Sequence, residues 1–241
     1  PQLSGACPLR ADIIAKPIDI MILRELTGDI YFGKRWRSDD RAAATDEMAY
    51  SVPEVERLAR IGFEMAKKRR GKLCSVDKAN VLETSRLWRE TARRLAAQYP
   101  ETEVEYLFVD NAAMQLIRQP AHFDVIVTEN MFGDILTDEA SVLGGSLGML
   151  ASASLGDGPA LFEPIHGSYP QAAGRNIANP MAAILSGALL LEHFGLKEEA
   201  ETIRQAVDHT IRDGFVTEDL ARPGERSCTT SEVGDRIRAR I

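Results

Sequence analysis

Short β-rich runs alternate with amphipathic helical stretches along most of the 241-residue chain. The runs predicted to be strands cover residues 18–23, 29–32, 72–76, 104–109 and 123–128. The stretches predicted to be helices cover residues 51–71, 82–99, 112–118 and 134–143. Parallel strands need long crossover connections, so this alternation predicts an α/β fold with an at least partly parallel sheet.

The composition changes in the second half of the chain. Gly, Ser and Ala dominate residues 144–158, and we predict a domain boundary at the start of this segment, between residues 144 and 145. Further helices are predicted over residues 181–194, 198–212 and 231–241, and Thr229 with Glu232 forms a capping box for the last one. Residues 33–45 are charged and lack periodicity, which predicts an exposed loop.

Charge and cysteine content restrict the possible partners and compartment. A net charge of −7 with scattered basic residues argues against nucleic acid as the main partner, because phosphate binding needs a concentrated basic face. Three cysteines, Cys7, Cys74 and Cys228, are odd in number and far apart, which predicts reduced thiols. No apolar run reaches the length of a membrane span. We therefore expect a soluble, cytoplasmic protein with no membrane partner.

Residues 129–139 carry the most informative pattern. Asp134 and Asp138 follow a predicted strand and are spaced i, i+4, which places both carboxylates on one helix face. Strand ends are where open α/β sheets bind ligands, and carboxylates suit Mg²⁺ or Mn²⁺. The alternative is equally favoured by the spacing alone: acidic residues stabilise a helix N-terminus.

Four further side chains lie in segments that follow predicted strands. Asp110 could be a metal ligand or a helix cap, and capping is the simpler interpretation for that residue alone. Lys78 could transfer protons or lie on the surface. Arg24 could bind a carboxylate and Tyr31, in the same segment, could donate a proton. The local pattern alone favours the alternative, a hairpin with Tyr31 packed in the core.

Residues 163–179 form a polar loop that precedes an apolar helix. His166 and Asn179 offer hydrogen bonds, and the glycines allow a close approach of the backbone to a ligand. The Gly-x-Gly-x-x-Gly pattern of dinucleotide-binding loops is absent after the predicted strands, so local chemistry does not identify this segment.

Taken together, these stretches resemble the 3-isopropylmalate dehydrogenases, within the family of metal-dependent β-decarboxylating dehydrogenases. The most specific stretch is Arg-Glu-Leu-Thr-Gly-x-Ile-Tyr-Phe-Gly at residues 24–33, and the likeness extends over essentially the whole chain. The supporting stretches are Ser-Val-Asp-Lys-Ala-Asn, Val-Asp-Asn-Ala-Ala-Met-Gln, Glu-Asn-Met-Phe-Gly-Asp-Ile-Leu and Glu-Pro-Ile-His-Gly-Ser. The resemblance implies a two-domain isopropylmalate dehydrogenase-like α/β fold, with residues 1–144 as the second domain and residues 145–241 as the returning part of the first.

The resemblance also implies roles for individual residues. Asp110, Asp134 and Asp138 would hold Mg²⁺ or Mn²⁺, Arg24 and Asp110 would bind substrate, and Tyr31 and Lys78 would transfer protons. The residues implied to bind NAD are Glu163, His166, Gly167, Ser168, Gln171, Ala178 and Asn179. The family forms homodimers in which Lys78 and Asp110 would be offered to the site of the other subunit.

The implied reaction is oxidation of 3-isopropylmalate by NAD⁺ followed by loss of CO₂, in leucine biosynthesis. Alternatives are the same chemistry on homoisocitrate or tartrate, or a non-catalytic subunit of this fold. Two departures from the family are visible. The family's N-terminal segment is absent, so we expect the 241-residue chain alone to be inactive, with one complete and one partial domain. Gln171 stands where relatives usually carry an Asp that selects NAD.

Overall fold

The computed structural model describes residue 7, residues 9–222 and residues 224–241. The chain divides into two compact units, of which one is Leu9–Ala140 and the other contains Ser141–Ile241. The boundary predicted from composition, at residue 144, lies further along the chain. Residues 1–8, whose composition predicts a loop, lie outside the described residues except for Cys7.

The first unit is built on a four-stranded parallel sheet, formed by β1 (Met21–Arg24), β4 (Lys72–Asp77), β5 (Glu103–Phe108) and β6 (Val125–Thr128). The strand order in this sheet is β1-β6-β4-β5. Its helices are α1 (Val52–Lys68), α2 (Glu83–Ala96), α3 (Val109–Arg118) and α4 (Asn130–Ser141). The parallel α/β architecture predicted for this part of the chain is confirmed.

Side chains that alternate along the central strands pack against helices on both faces of the sheet. On one face Val125 and Val127 pack with Phe63 of α1. On the other face Ile126 packs with Leu116 of α3 and Leu136 of α4. Successive strand residues point to opposite faces, so a strand covered on both faces reads as a continuous apolar run. The central strands β4 and β6 fit this pattern.

Helix α1 begins where the sequence predicts. Ser51 has extended backbone angles, and the Glu54 carboxylate accepts a 2.7 Å hydrogen bond from the Ser51 backbone N–H, as in a capping box. Pro53 lies in the first turn, where a missing N–H costs nothing. The buried face of α1 includes Val55, Ala59 and Gly62.

Several boundaries predicted from the sequence are wrong. Residues 29–32 form a turn rather than a strand, because Asp29 has a φ of 77° and the Phe32 N–H donates to the Asp29 carbonyl. The loop expected over residues 33–45 contains an exposed antiparallel ribbon, β2 (Arg35–Arg37) and β3 (Ala44–Asp46). Strand β1 is only half-buried because it is an edge strand.

The second unit contains an antiparallel pair and three helices. The pair is β7 (Ala151–Ser154) and β8 (Leu161–Pro164), and the helices are α5 (Met181–His193), α6 (Lys197–Arg212) and α7 (Thr230–Arg238). Its core includes Met181, Val207, Val233 and Ile237. The capping box predicted for α7 is confirmed, since Thr229 accepts from the Glu232 N–H and Glu232 accepts from the Thr229 N–H. Helix α5 is buried at Met181, Ala182, Ser186 and Ala188, whereas Leu190 is exposed.

Two expectations from composition can be compared with the coordinates. All three cysteines are free thiols, as predicted. Among the described residues, none of the helices combines the length and the apolar character needed to cross a bilayer.

The close packing of α1 on the sheet yields a first prediction. A Cβ atom added at Gly62 would overlap with Val127 and lie 3.1 Å from Leu73, so Gly62→Ala should displace α1. We expect a loss of about 1–3 kcal/mol in the free energy of unfolding, measured by urea denaturation. As a matched control, Gly234→Ala in α7 meets no neighbouring atom and should stabilise its helix by up to about 1 kcal/mol. Equal effects of the two substitutions would contradict this packing.

A buried acid in the first unit predicts a pH dependence of stability. Glu129 is fully buried after β6, and burial raises the pKa of this carboxyl from 4.5 to about 8. Between these values the unfolded chain has released the proton that the folded chain retains. The stability that depends on Glu129 is therefore fully present below the lower value and is lost as the pH rises through the higher one.

Urea denaturation at about pH 5 and about pH 8 measures this dependence, with an expected decrease on the order of a few kcal/mol at the higher pH. Glu129→Gln should remove most of the decrease, because the amide does not titrate. The control Glu83→Gln changes an exposed residue and should leave the decrease intact. An unchanged slope in Glu129→Gln would show that another group is responsible.

Candidate active site

The carboxyl ends of the parallel strands meet at one edge of the sheet. Arg24 ends β1 and pairs with Thr128, which ends β6. Asp77 ends β4 and pairs with Phe108, which ends β5. The segments that leave these four strands contain all the predicted catalytic, substrate-binding and metal-binding residues. This edge of the sheet is therefore the candidate active site.

Arg24, Tyr31 and Asp134 contact one another at this edge. Arg24 Nη1 donates to Asp134 Oδ1 at 2.5 Å, and the Tyr31 hydroxyl donates to Asp134 Oδ2 at 3.2 Å. The Arg24 guanidinium also lies 5.5 Å from the centre of the Tyr31 ring. Tyr31 is 40% exposed, so the alternative in which it packs in the core is wrong.

The surroundings of Tyr31 favour its protonated form. Burial raises the pKa of its hydroxyl above the usual value, and the nearby Asp134 carboxylate adds to the shift. The positive charge of Arg24 acts in the opposite direction but does not cancel the increase. Tyr31 therefore keeps its proton at neutral pH and can act as a proton donor.

Gly133, within helix α4, lets the side chain of Arg24 pass close to the helix backbone. A Cβ atom at this position would lie 2.7 Å from Arg24 Cγ and 3.0 Å from Thr128 Cγ2. A glycine within a helix destabilises it by about 1 kcal/mol relative to alanine, so its presence needs a reason. Here the reason is the close passage of the arginine side chain. Sequence reasoning missed this residue, because Gly133 lies before the predicted start of the helix and its contacts with Arg24 and Thr128 depend on the tertiary structure.

Asp134 and Asp138 lie within helix α4 rather than at its start. The helix begins at Asn130, four residues before the start predicted from the sequence, and its first turn contains no acidic residue. Stabilisation of a helix N-terminus therefore does not explain Asp134 or Asp138, because the dipole effect falls off after the first turn. The i, i+4 spacing places both carboxylates on the same face of α4.

Lys78 and Asp110 form a separate ion pair. Lys78 Nζ donates to Asp110 Oδ1, and this contact lowers the pKa of the Asp110 carboxyl. Lys78 projects from an anchored turn, since the buried Asp77 beside it binds Arg89 through both carboxylate oxygens at 2.8 and 2.9 Å. Asp110 lies in the first turn of α3 and its side chain is 61% exposed.

The candidate metal ligands are not gathered within one copy of the chain. Among the residues that the structure describes, no three His, Cys, Asp or Glu side chains are close enough together to hold a metal ion. One chain therefore offers Asp134 and Asp138 on α4, and Asp110 on α3 in contact with Lys78. The metal assignment of these residues remains a prediction.

The predicted cofactor residues lie in the second unit, on β8 and the loop that follows it. Those that the structure leaves exposed are Glu163, Gly167, Ser168, Gln171 and Ala178. His166 is half-buried, and its Nδ1 lies 3.0 Å from the Gly167 carbonyl oxygen. Exposed polar groups and open backbone are compatible with binding of a ligand by this loop.

The Asn179 side chain has a structural role that the sequence did not predict. Its Oδ1 accepts from the Met181 N–H at the start of α5, and its Nδ2 donates to Asp219 Oδ2 at 3.0 Å. The same loop is held at Ala178, whose carbonyl accepts from the Thr230 hydroxyl at 2.5 Å. Sequence reasoning missed Asp219 and Thr230, because their contacts join segments that are distant along the chain.

The chain is 53% identical over 242 residues to the 3-isopropylmalate dehydrogenase of Desulfitobacterium hafniense, and covers 100% of its own length and 68% of the relative's. It is also 53% identical over 247 residues to the 3-isopropylmalate dehydrogenase of Oleidesulfovibrio alaskensis, where the coverage is 100% and 69%.

Solved structures with the same fold include the isocitrate dehydrogenase of Methylococcus capsulatus, with a TM-score of 0.89 and 40% identity. That alignment covers 92% of this chain and 67% of the other. The TT0538 protein of Thermus thermophilus gives a TM-score of 0.90 at 32% identity and covers 98% of this chain and 47% of the other. The profile of the family described as isocitrate/isopropylmalate dehydrogenase matches residues 1–237. The chain belongs to the isocitrate/isopropylmalate dehydrogenase family.

Proposed function

We propose that this protein oxidises (2R,3S)-3-isopropylmalate with NAD⁺ and releases CO₂, yielding the 2-oxo acid precursor of leucine. The observation that carries the proposal is the contact of Arg24, Tyr31 and Asp134 at the sheet edge, within a sequence 53% identical to proteins named 3-isopropylmalate dehydrogenase. We further propose a cytoplasmic homodimer. In this proposal Ser141–Ile241 belongs to the cofactor-binding domain and Leu9–Ala140 to the substrate domain.

The choice of substrate rests on the relatives with high coverage. Proteins named 3-isopropylmalate dehydrogenase match 99–100% of the chain at 50–53% identity. The structure titled isocitrate dehydrogenase is 40% identical, which makes a tricarboxylic substrate the main competitor. The Arg-Glu-Leu-Thr-Gly-x-Ile-Tyr-Phe-Gly stretch also favours 3-isopropylmalate.

The donor set on α4 fits a hard divalent cation. Asp134 and Asp138 present carboxylate oxygens from one helix face, which suit Mg²⁺ or Mn²⁺ better than zinc. Asp134 is half-exposed, so its carboxylate can exchange Arg24 for another cation. When bound, the ion would act as a Lewis acid, polarising the oxygens of the substrate. The third carboxylate, Asp110, would come from a second copy of the chain.

Arg24 and Tyr31 are placed to act on the substrate itself. The guanidinium of Arg24 would bind a substrate carboxylate through paired hydrogen bonds once Asp134 is engaged elsewhere. Lys78 of a second copy would accept the proton of the 2-hydroxyl while C2 transfers its hydride to NAD⁺. The bond from C3 to its carboxylate then breaks, CO₂ leaves, and the electron pair forms an enolate. Tyr31 would protonate C3.

The loop on β8 would bind the dinucleotide in this proposal. Exposed polar and small residues such as Ser168, Gln171 and Ala178 could contact it through side chains and backbone. Gln171 carries no charge to repel a 2′-phosphate, so discrimination against NADP should be weaker than an aspartate would provide. NAD⁺ remains the preferred cofactor, because no basic residue replaces the aspartate.

Metal binding tests the role of α4. We expect Mn²⁺ to bind the complete protein that carries this sequence, and Asp134→Asn or Asp138→Asn to weaken binding by about 10- to 100-fold, measured by titration calorimetry. Glu139→Gln alters the next residue of α4 and serves as the matched control with unchanged affinity. Equal affinity in all three variants would exclude α4 as the binding element. Absence of Mn²⁺ binding in the unmodified protein would favour a non-catalytic subunit.

Turnover tests the reaction and its substrate. NADH formation by the complete protein should require Mn²⁺ or Mg²⁺ and give a higher kcat/KM with 3-isopropylmalate than with isocitrate, homoisocitrate or tartrate. Tyr31→Phe should lower kcat by about 10²- to 10⁴-fold, because the ring keeps its place but loses the proton. Tyr106→Phe on β5 is the control and should retain full activity. A higher kcat/KM for any competing substrate would overturn the assignment.

A further inference from the structure

The segment that carries Tyr31 is joined to the start of α4 by a buried network. Asp29 is only 1% exposed, although it lies two residues before the exposed Tyr31. Its Oδ2 accepts from the Met131 N–H at 3.0 Å and from the Tyr50 hydroxyl at 3.1 Å. The Tyr50 hydroxyl in turn accepts from the Asn130 N–H at 2.8 Å. We call these three hydrogen bonds the Asp29–Tyr50 bridge.

The bridge caps the N-terminus of α4. The first N–H groups of a helix have no partner within the helix, and a carboxylate there also interacts favourably with the helix dipole. Asn130 and Met131 are the first two residues of α4, and their N–H groups are bound by Tyr50 and Asp29. The cap therefore comes from two residues that are distant along the chain.

The backbone conformation of Asp29 indicates that its carboxylate has a structural role. A φ of 77° is uncommon for a residue with a side chain and would suit glycine. The Asp29 N–H is also bound by the Ala49 carbonyl at 3.1 Å, which anchors the turn to the segment that carries Tyr50. A residue held in this conformation, with its carboxylate buried against a helix start, fixes the direction in which the chain proceeds to Tyr31.

Asn130 extends the network to Arg24. Its Oδ1 accepts from Arg24 Nε at 2.9 Å, and its Nδ2 donates to the Gly28 carbonyl at 3.2 Å. Tyr50 packs tightly on the same turn, because a Cβ atom at Gly28 would lie 2.8 Å from the Tyr50 ring. Arg24, the Tyr31 turn and the first turn of α4 are thus held by one set of contacts.

We propose that Asp29 and Tyr50 are positioning residues that set the distance between the Tyr31 hydroxyl and the Asp134 carboxylate. Tyr31 follows Asp29 by two residues, and Asp134 lies one helical turn beyond the capped residues. Loss of a hydrogen bond in the bridge would move Tyr31 relative to Asp134. This inference rests on the proposed function, in which Tyr31 donates a proton beside Asp134.

Two variants separate the parts of the bridge in the complete protein. Tyr50→Phe removes the hydroxyl and keeps both the ring and the charge of Asp29. Asp29→Gly removes the carboxylate and accepts the positive φ without strain. We expect each to lower kcat by about 10- to 100-fold with little change in KM, because misplacement affects the transition state more than substrate binding. Asp29→Asn keeps one acceptor oxygen and should recover most of the activity.

A structural readout does not depend on turnover. The Tyr31 hydroxyl lies 3.2 Å from Asp134 Oδ2 in the intact site. In a crystal structure of Tyr50→Phe we expect this distance to exceed hydrogen-bonding range, because the Tyr31 turn is no longer tied to the start of α4. Exchange of the Asn130 amide hydrogen with solvent should also become faster.

Two further variants serve as matched controls. Tyr106→Phe repeats the tyrosine substitution away from the bridge, and Arg41→Gly relieves another positive φ, of 60°, in the exposed ribbon. Both should leave kcat and the distance between Tyr31 and Asp134 unchanged. Unchanged kcat and an unchanged distance between Tyr31 and Asp134 in Tyr50→Phe would overturn the proposal. If the unmodified protein does not turn over any substrate, the proposed function fails, and the measured distance still decides whether the bridge positions Tyr31.

Discussion

The parallel pairing of β1 with β6 is the constraint on which the candidate site depends. The pairing aligns Arg24 with Thr128, so the turn that follows β1 and the helix that follows β6 leave the sheet at the same level. Arg24 and Asp134 are 110 residues apart in sequence and meet only because of this register. A shift of one residue would turn the side chains of β1 to the opposite face of the sheet and separate them.

The carboxyl ends of the strands hold three ion pairs between acidic and basic side chains. Three acids near the edge are matched by a cation or by hydrogen-bond donors: Asp134 by Arg24 and Tyr31, Asp110 by Lys78, and Asp77 by Arg89. The pairs differ in exposure. Asp77 is buried, whereas the side chains of Asp134 and Asp110 are 49% and 61% exposed. In the proposed function the two exposed acids exchange their partners for a metal ion, while the buried Asp77–Arg89 pair keeps the turn that carries Lys78 in place.

The parts of the fold that depend on local signals were predictable from the sequence. Helix α1 carries its own capping box at Ser51 and Glu54, and its start was predicted correctly. Helix α4 has no local signal, because Asp29 and Tyr50 provide its cap from elsewhere in the chain, and its predicted start was four residues late. Residues 29–32 were mistaken for a strand, because the turn depends on the left-handed conformation of Asp29, whose carboxylate binds the start of α4. Side chains at strand ends identified the site, whereas their pairing and the role of Gly133 required the tertiary structure.

The most direct test is a crystal structure of the complete protein with Mn²⁺ and 3-isopropylmalate, with the ion located by its anomalous scattering. The account predicts that Mn²⁺ binds Asp134 and Asp138 of one copy and Asp110 of a second, while Arg24 leaves Asp134 and binds a substrate carboxylate. An ion bound elsewhere, with Arg24 still on Asp134 and Asp110 directed away from α4, would contradict it.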